Sequence, residues 1–214
     1  MAVNRTDPRV IKTRNSLRKA LVYLMRREKI ENISVQKITE TANITRGTFY
    51  LHYRDKQDFI RSAMKDILDN FFSRVMMDSE NYGLSKERTV QVISLQRAFQ
   101  YIESNADIFD VLLNNENSTG FYDQFYNRLS NYLTDYGNVV NDNQKRLMVP
   151  LNLQISFVIS AFLGLVSHWL ADGMIYTSRY MTRSAEKMFE TINGKGVPLV
   201  GFFNGEKESV LEKI

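Results

Sequence analysis

Apolar residues return at three- and four-residue steps along most of this chain, a period that fits amphipathic helices and not strands. Over residues 9–27 the stripe is Val10, Ile11, Leu17, Leu21, Leu24 and Met25, with Ala20 among them, and Arg and Lys fill the other faces. Pro8 suits the first position of that helix. The spacing recurs over 56–77 in Phe59, Ile60, Met64, Ile67, Leu68, Phe71 and Phe72. It recurs over 86–104 in Val90, Ile93, Ala98, Phe99 and Ile102, and over 121–136 in Phe121, Tyr122, Phe125, Tyr126, Tyr132 and Tyr136. Asp107 is placed to cap a short helix over 108–113. A long helix, which Pro150 either starts or kinks, runs to about Ala171, where Asp172-Gly173 ends it, and another spans roughly 178–192. With 3 prolines and 10 glycines in 214 residues, the chain is short of the turn formers an all-β fold needs. The expectation is an all-α chain of about nine helices.

Composition narrows the functional classes. There is no cysteine, so disulfides, Cys-ligated zinc and a thiol nucleophile are excluded. The two histidines, His52 and His168, lie far apart in sequence, so no metal site is expected. No nucleophile elbow, P-loop, dinucleotide fingerprint or His-Glu-x-x-His motif occurs, so neither an enzyme nor a cofactor is expected. No apolar run opens the chain, and the most apolar stretch, 151–170, contains Asn152, Gln154, His168 and several serines. It reads as a buried helix rather than a membrane span, and the expected location is the cytoplasm, at the nucleoid.

Charge is distributed unevenly. Residues 1–61 hold 14 Lys/Arg against 6 Asp/Glu, whereas residues 62–214 hold 14 against 18. A basic head on an acidic body points to a polyanion as the partner of the head alone.

The segment 34–56 carries the function. Ser34 is placed to cap a short helix in which Val35, Ile38 and Ala42 share a face. Asn43 follows, a residue that tolerates the left-handed conformation of a sharp turn. Thr45 caps the next short helix, Arg46 to about Leu51, and Asp55, with Asp58 three residues on, caps the long one. Two short helices joined by a tight turn form a helix-turn-helix, whose second helix fits the major groove. Thr45, Thr48 and Tyr50 offer hydroxyls, Arg46 suits a guanine edge, Gly47 permits close backbone approach, and His52, Arg54 and Lys56 follow as phosphate partners.

The run Thr48-Phe49-Tyr50-Leu51-His52-Tyr53-Arg54-Asp55-Lys56 resembles the signature of TetR-family regulators, Thr-hydrophobic-Tyr-x-His-aromatic-x-x-Lys, at every fixed position. The detailed match covers residues 9–70, and Asn43 departs from the glycine common there. The resemblance implies that Gln36, Thr45, Arg46, Gly47 and Leu51 face the bases. Ser34, Thr48, Tyr50, His52 and Lys56 would grip phosphates, while Phe49 and Tyr53 hold the small core. It divides the chain into a three-helix DNA-binding domain (1–55), a helical effector-binding and dimerisation domain (56–193) and a C-terminal tail (194–214) whose order is left open, with Phe202 and Phe203 more apolar than a free tail favours. The region 155–173 is similar to that of some Gram-positive members. There Ser160, Ala161, Gly164 and Ser167 give a small-residue face for a homodimer interface. Phe99, Phe109, Phe125, Tyr126, His168 and Trp169 are the candidate lining of an effector pocket for a small, largely apolar or aromatic molecule. The implied function is a ligand-responsive repressor that binds a palindromic operator in double-stranded DNA as a dimer. An activator of the same fold, or a sensing module without specific DNA binding, are the alternatives.

Overall fold

The computed structural model describes residues 7–79, 90–114, 120–140, 149–193 and 198–204. Among them are nine α-helices: α1 (Pro8–Met25), α2 (Val35–Thr41), α3 (Arg46–His52), α4 (Lys56–Val75), α5 (Leu95–Ser104), α6 (Ala106–Asn114), α7 (Phe121–Val140), α8 (Leu151–Ala171) and α9 (Ser178–Asn193). The fold class is all-α, as the periodicity predicts. Helix α7 continues to Val140, beyond the Tyr136 at which the apolar spacing ends.

The chain forms two compact units, Met1–Asp69 with Asp107–Tyr122, and Asn70–Ala106 with Asp123–Ile214. In the first, α1 buries Leu17, Ala20, Leu21, Leu24 and Met25, and α2 and α3 contribute Ile38 and Phe49. Phe49 is fully buried, and its ring meets Tyr53 and Phe59 at 5.5 Å each. Local chemistry sets the ends. Asp7 accepts from the Arg9 N–H at 2.8 Å, with Pro8 at the first helical position of α1. Ser34 caps α2 through the Lys37 N–H at 3.2 Å, and Thr45 caps α3 through the Thr48 N–H at 3.1 Å. Asp107 lies inside the first turn of α6 rather than capping it, and its carboxylate pairs with Arg26 at 2.6 Å.

The turn between α2 and α3 is a Schellman motif. The Ile44 N–H reaches back to the Thr39 carbonyl at 3.0 Å, the Asn43 N–H donates to Glu40 at 3.1 Å, and Asn43 has φ 54°. Asn thus occupies the left-handed position for which glycine is the default.

The second unit differs from expectation in two places. Residues 90–94 are a strand and not the first turns of a helix. β2 (Val90–Ser94) pairs antiparallel with β1 (Met76–Ser79), which takes over where α4 ends at Val75. Val90 and Ile93 fit a helical step, but so does a strand whose burial is nearly continuous, and Val92 is buried with them. The second place is the tail, whose order the sequence leaves open. Pro198–Phe202 makes a 3-10 turn that leads into β3 (Phe203–Asn204), parallel to β2. Leu199 and Phe202 are fully buried, and Phe203 packs on Phe162 at 4.9 Å and Phe189 at 5.2 Å. The structure thus makes part of the tail core. Gly137 on α7 makes room for it, since a Cβ there would come within 3.1 Å of Leu199 and 2.9 Å of Leu151.

Pro150 starts α8 instead of kinking it. By length and composition α8 could cross a membrane, with half of its apolar window buried inside the protein. Its other face leaves Leu153 56% and Phe157 51% exposed.

Candidate nucleic-acid interface

The α2–turn–α3 segment presents most of its polar side chains to solvent. Gln36, Thr45, Arg46, Gly47, Tyr50 and Leu51 are exposed, while Thr48 and His52 are half-buried. Phe49 and Tyr53 point inward and are buried. Helical spacing alone separates these sets, because the inward side chains of a seven-residue helix leave the rest on one outer surface.

Several candidate readers are already held in place. The Arg46 guanidinium donates to Gln36 Oε1 at 3.2 Å, and Gln36 Nε2 donates to Glu40 at 2.9 Å. This ties the exposed edge of α2 to the start of α3 and orients a long, flexible arginine. The Thr45 and Thr48 hydroxyls meet at 2.9 Å. Leu51 is 70% exposed on the same surface.

At Gly47 a Cβ would meet nothing nearer than Thr45 Oγ1 at 3.7 Å, and φ is not in the left-handed region. Among the described residues, neither packing nor backbone conformation calls for glycine there.

His52 and Lys56 are placed differently from a pair of free phosphate ligands. Burial, and then the Arg14 cation, hold the His52 imidazole below its ordinary range, and its buried Nδ1 has no hydrogen-bond partner. Arg14 lies over the Tyr53 ring at 5.9 Å, and its Nε is likewise buried without a partner. Arg14, on α1, is a basic residue next to the interface that the motif does not reveal, because α1 precedes it in sequence. The Lys56 ammonium donates to the Ile30 carbonyl at 3.0 Å and the Glu31 carbonyl at 3.2 Å. Two of its three donors thus fasten the start of α4 to the turn before α2, a role invisible in the motif's spacing. Asp55 caps α4 through the Asp58 N–H at 2.7 Å, a bond that holds its carboxyl below the usual range.

The remaining candidate sites lie elsewhere. Ser160 and Gly164 are exposed on α8, with Ala161 and Ser167 half-buried beside them. Phe109 is in the first unit, against Phe121 at 6.2 Å. Phe99 packs on Trp169 at 5.6 Å, Phe125 packs on Phe71 at 5.1 Å, and Tyr126 is half-buried. His168 is 76% exposed in its side chain and pairs with Asp172 at 3.3 Å. His168 and Trp169 line a cleft of about 180 Å³ with Leu165, Ile175, Tyr176 and Tyr180.

Two short helices joined by a tight turn, with an exposed and internally braced second helix, have the form of a helix-turn-helix. Residues 93–191 match a TetR C-terminal family, described as "Transcriptional regulator C-terminal region". An HTH-type transcriptional regulator of Staphylococcus aureus (strain USA300) is 27% identical over 142 residues, 66% of this chain and 75% of that protein. A TetR transcriptional regulator from Streptococcus agalactiae shares the fold with a TM-score of 0.57 at 19% identity, covering 83% of this chain and 93% of that one. The dihydroxyacetone kinase operon activator DhaS does so with a TM-score of 0.51 at 18% identity, covering 91% and 99%. Over these regions the chain is similar to TetR-type transcriptional regulators.

Proposed function

We propose that this regulator reads a palindromic operator as a homodimer and that a small-molecule effector releases it, so that it acts as a repressor in the cytoplasm. The observation that carries DNA reading is α3 itself. It holds an oriented Arg46, an exposed Leu51 and a glycine at 47 for which the chain has no internal use. In this reading Arg46 and Gln36 address base edges, Thr45, Gly47 and Leu51 lie against the groove floor, and Ser34, Thr48, Tyr50 and His52 contact phosphates. Lys56 has one donor left for a phosphate and otherwise braces the turn.

A dimer supplies the second reading helix, since one seven-residue helix spans only a few base pairs. Half-site centres one helical turn apart would be roughly 34–36 Å from each other. The exposed face of α8, with Leu153 and Phe157 beside Ser160 and Gly164, supports pairing through this helix and α9, where Tyr180 is 55% exposed. For the effector, the cleft at His168 and Trp169 has room for a small aromatic molecule. Release requires that such a ligand prefer the conformation that reads DNA poorly. Activation is the second reading, favoured by the operon activator among the solved relatives.

The test is fluorescence anisotropy with a random-sequence duplex across a salt series. Binding should weaken linearly in log–log form as salt rises, and Tyr50→Phe and His52→Ala should weaken every duplex alike. No binding at low salt would remove the DNA-reading proposal.

A further inference from the structure

The face of α5 away from its buried Leu95, Ala98, Phe99 and Ile102 carries Arg97, Gln100, Tyr101 and Ser104 at helical spacing. Asn70 and Arg74, one turn apart on α4, form the facing wall, and Asn105 completes an open groove of about 500 Å³ within the second unit. All of these side chains are polar, two are permanently cationic, and among the described residues no carboxylate lines the groove. The acid next to it in sequence, Glu103, is committed elsewhere. Its two oxygens accept from the Ser178 N–H at 3.0 Å and the Ser178 hydroxyl at 2.7 Å. Among the described residues Arg74 makes no ion pair, and the Gln100 side-chain amide makes no hydrogen bond.

The groove holds its shape without a ligand. The Tyr101 ring stands edge-on to Phe71 at 5.7 Å. The Ser104 hydroxyl donates to the Gln100 carbonyl, and Asn105 Nδ2 donates to the Tyr101 carbonyl, both at 2.8 Å. These bonds occupy the smaller polar groups and leave a guanidinium and an amide facing the opening.

We propose that this groove binds a small organic oxyanion, a carboxylate or a phosphate ester, with Arg74 and Arg97 as its cationic partners and Gln100 as a neutral donor. Guanidinium groups present paired N–H donors that match the oxygens of either group. The volume lies within the range of metabolite sites, about 300–1,000 Å³, and exceeds what a bare inorganic ion fills. This ligand chemistry is opposite to that of the apolar cleft at Trp169. The site stands whether or not the first unit reads DNA.

The full chain is titrated calorimetrically with citrate and with inorganic phosphate, at ionic strength matched by sodium chloride. Expected is saturable binding of at least one of the two, weakened tenfold or more by Arg74→Gln and by Arg97→Gln, and less by Arg74→Lys. Arg46→Gln should leave it unchanged. Thermal melts check folding, and if Arg97→Gln lowers the melting temperature, Gln100→Ala carries the test, because its side chain makes no bond within the fold. No saturable heat with either anion overturns the proposal. So does binding indifferent to Arg74→Gln and Gln100→Ala, or binding lost in Arg46→Gln, which would assign the anion to the DNA-reading helix.

Discussion

Asn43 holds the sharpest corner of the reading head, at φ 54°, with its side chain exposed. Glycine should be accepted there with stability unchanged or raised by up to about 1 kcal/mol, whereas Asn43→Val should cost roughly 1–2 kcal/mol. Urea unfolding monitored by circular dichroism checks both. Lys56 and His52 belong to the same scale, since the motif identifies them as phosphate partners while the structure also gives them internal roles. His52 is held below the ordinary imidazole value of about 6.5 by burial and by Arg14. Its folded pKa therefore lies below its unfolded one. The stability linked to it is complete above about pH 6.5 and is lost as pH falls from there toward the folded pKa. A phosphate docked at the ring has the opposite effect, because it favours the imidazolium. DNA binding should then take up a proton and strengthen on acidification from about pH 7.5 to about pH 6. Affinity measured across that range should be pH-dependent in the native chain and flatter in His52→Gln.

At the scale of elements, the head was legible because each of its signals is local. Ser34, Thr45 and Asp55 cap the helices that immediately follow them, and Asn43 closes the turn within one residue of its sequence position. Strand β2 was not legible in that way. Val90 and Ile93 satisfy a helical step, and what decides for a strand is pairing with Met76–Ser79 and with Phe203–Asn204, the latter more than a hundred residues downstream. The order of the tail stays open in the sequence for the same reason, since two adjacent phenylalanines announce burial but not against what. Phe202→Ala should cost about 3–5 kcal/mol, a core cost that a free tail would not show, and thermal or urea unfolding reads it. The end of α8 is a second Schellman corner. The Met174 N–H returns to the Trp169 carbonyl at 2.9 Å, and Gly173 and Met174 both have positive φ, 71° and 55°. Met174→Gly should raise stability by up to about 1 kcal/mol, because only Met174 carries a Cβ in that conformation.

For the whole molecule, the proposed dimeric DNA reader accounts for two features together: a basic first stretch suits phosphate, and the half-exposed Phe157 on α8 suits burial against a second copy. Phe157→Glu should yield a folded monomer in sedimentation velocity, and its specific DNA affinity should fall with the loss of the second half-site. The aromatic residues of the second unit illustrate the limit of sequence reading at this scale. Phe99 and Phe125 have the spacing of a pocket lining and are closed core in the fold, while the open polar groove is built from Arg74, Arg97 and Gln100, ordinary surface residues by type. If α3 reads sequence through Arg46, selection from a randomised duplex library by the wild type and by Arg46→Ala, side by side, should enrich a palindrome with the wild type and relax a matched position in each half-site with the variant. Recovery of no preferred sequence, or of the same palindrome at the same stringency by both proteins, would contradict that reading.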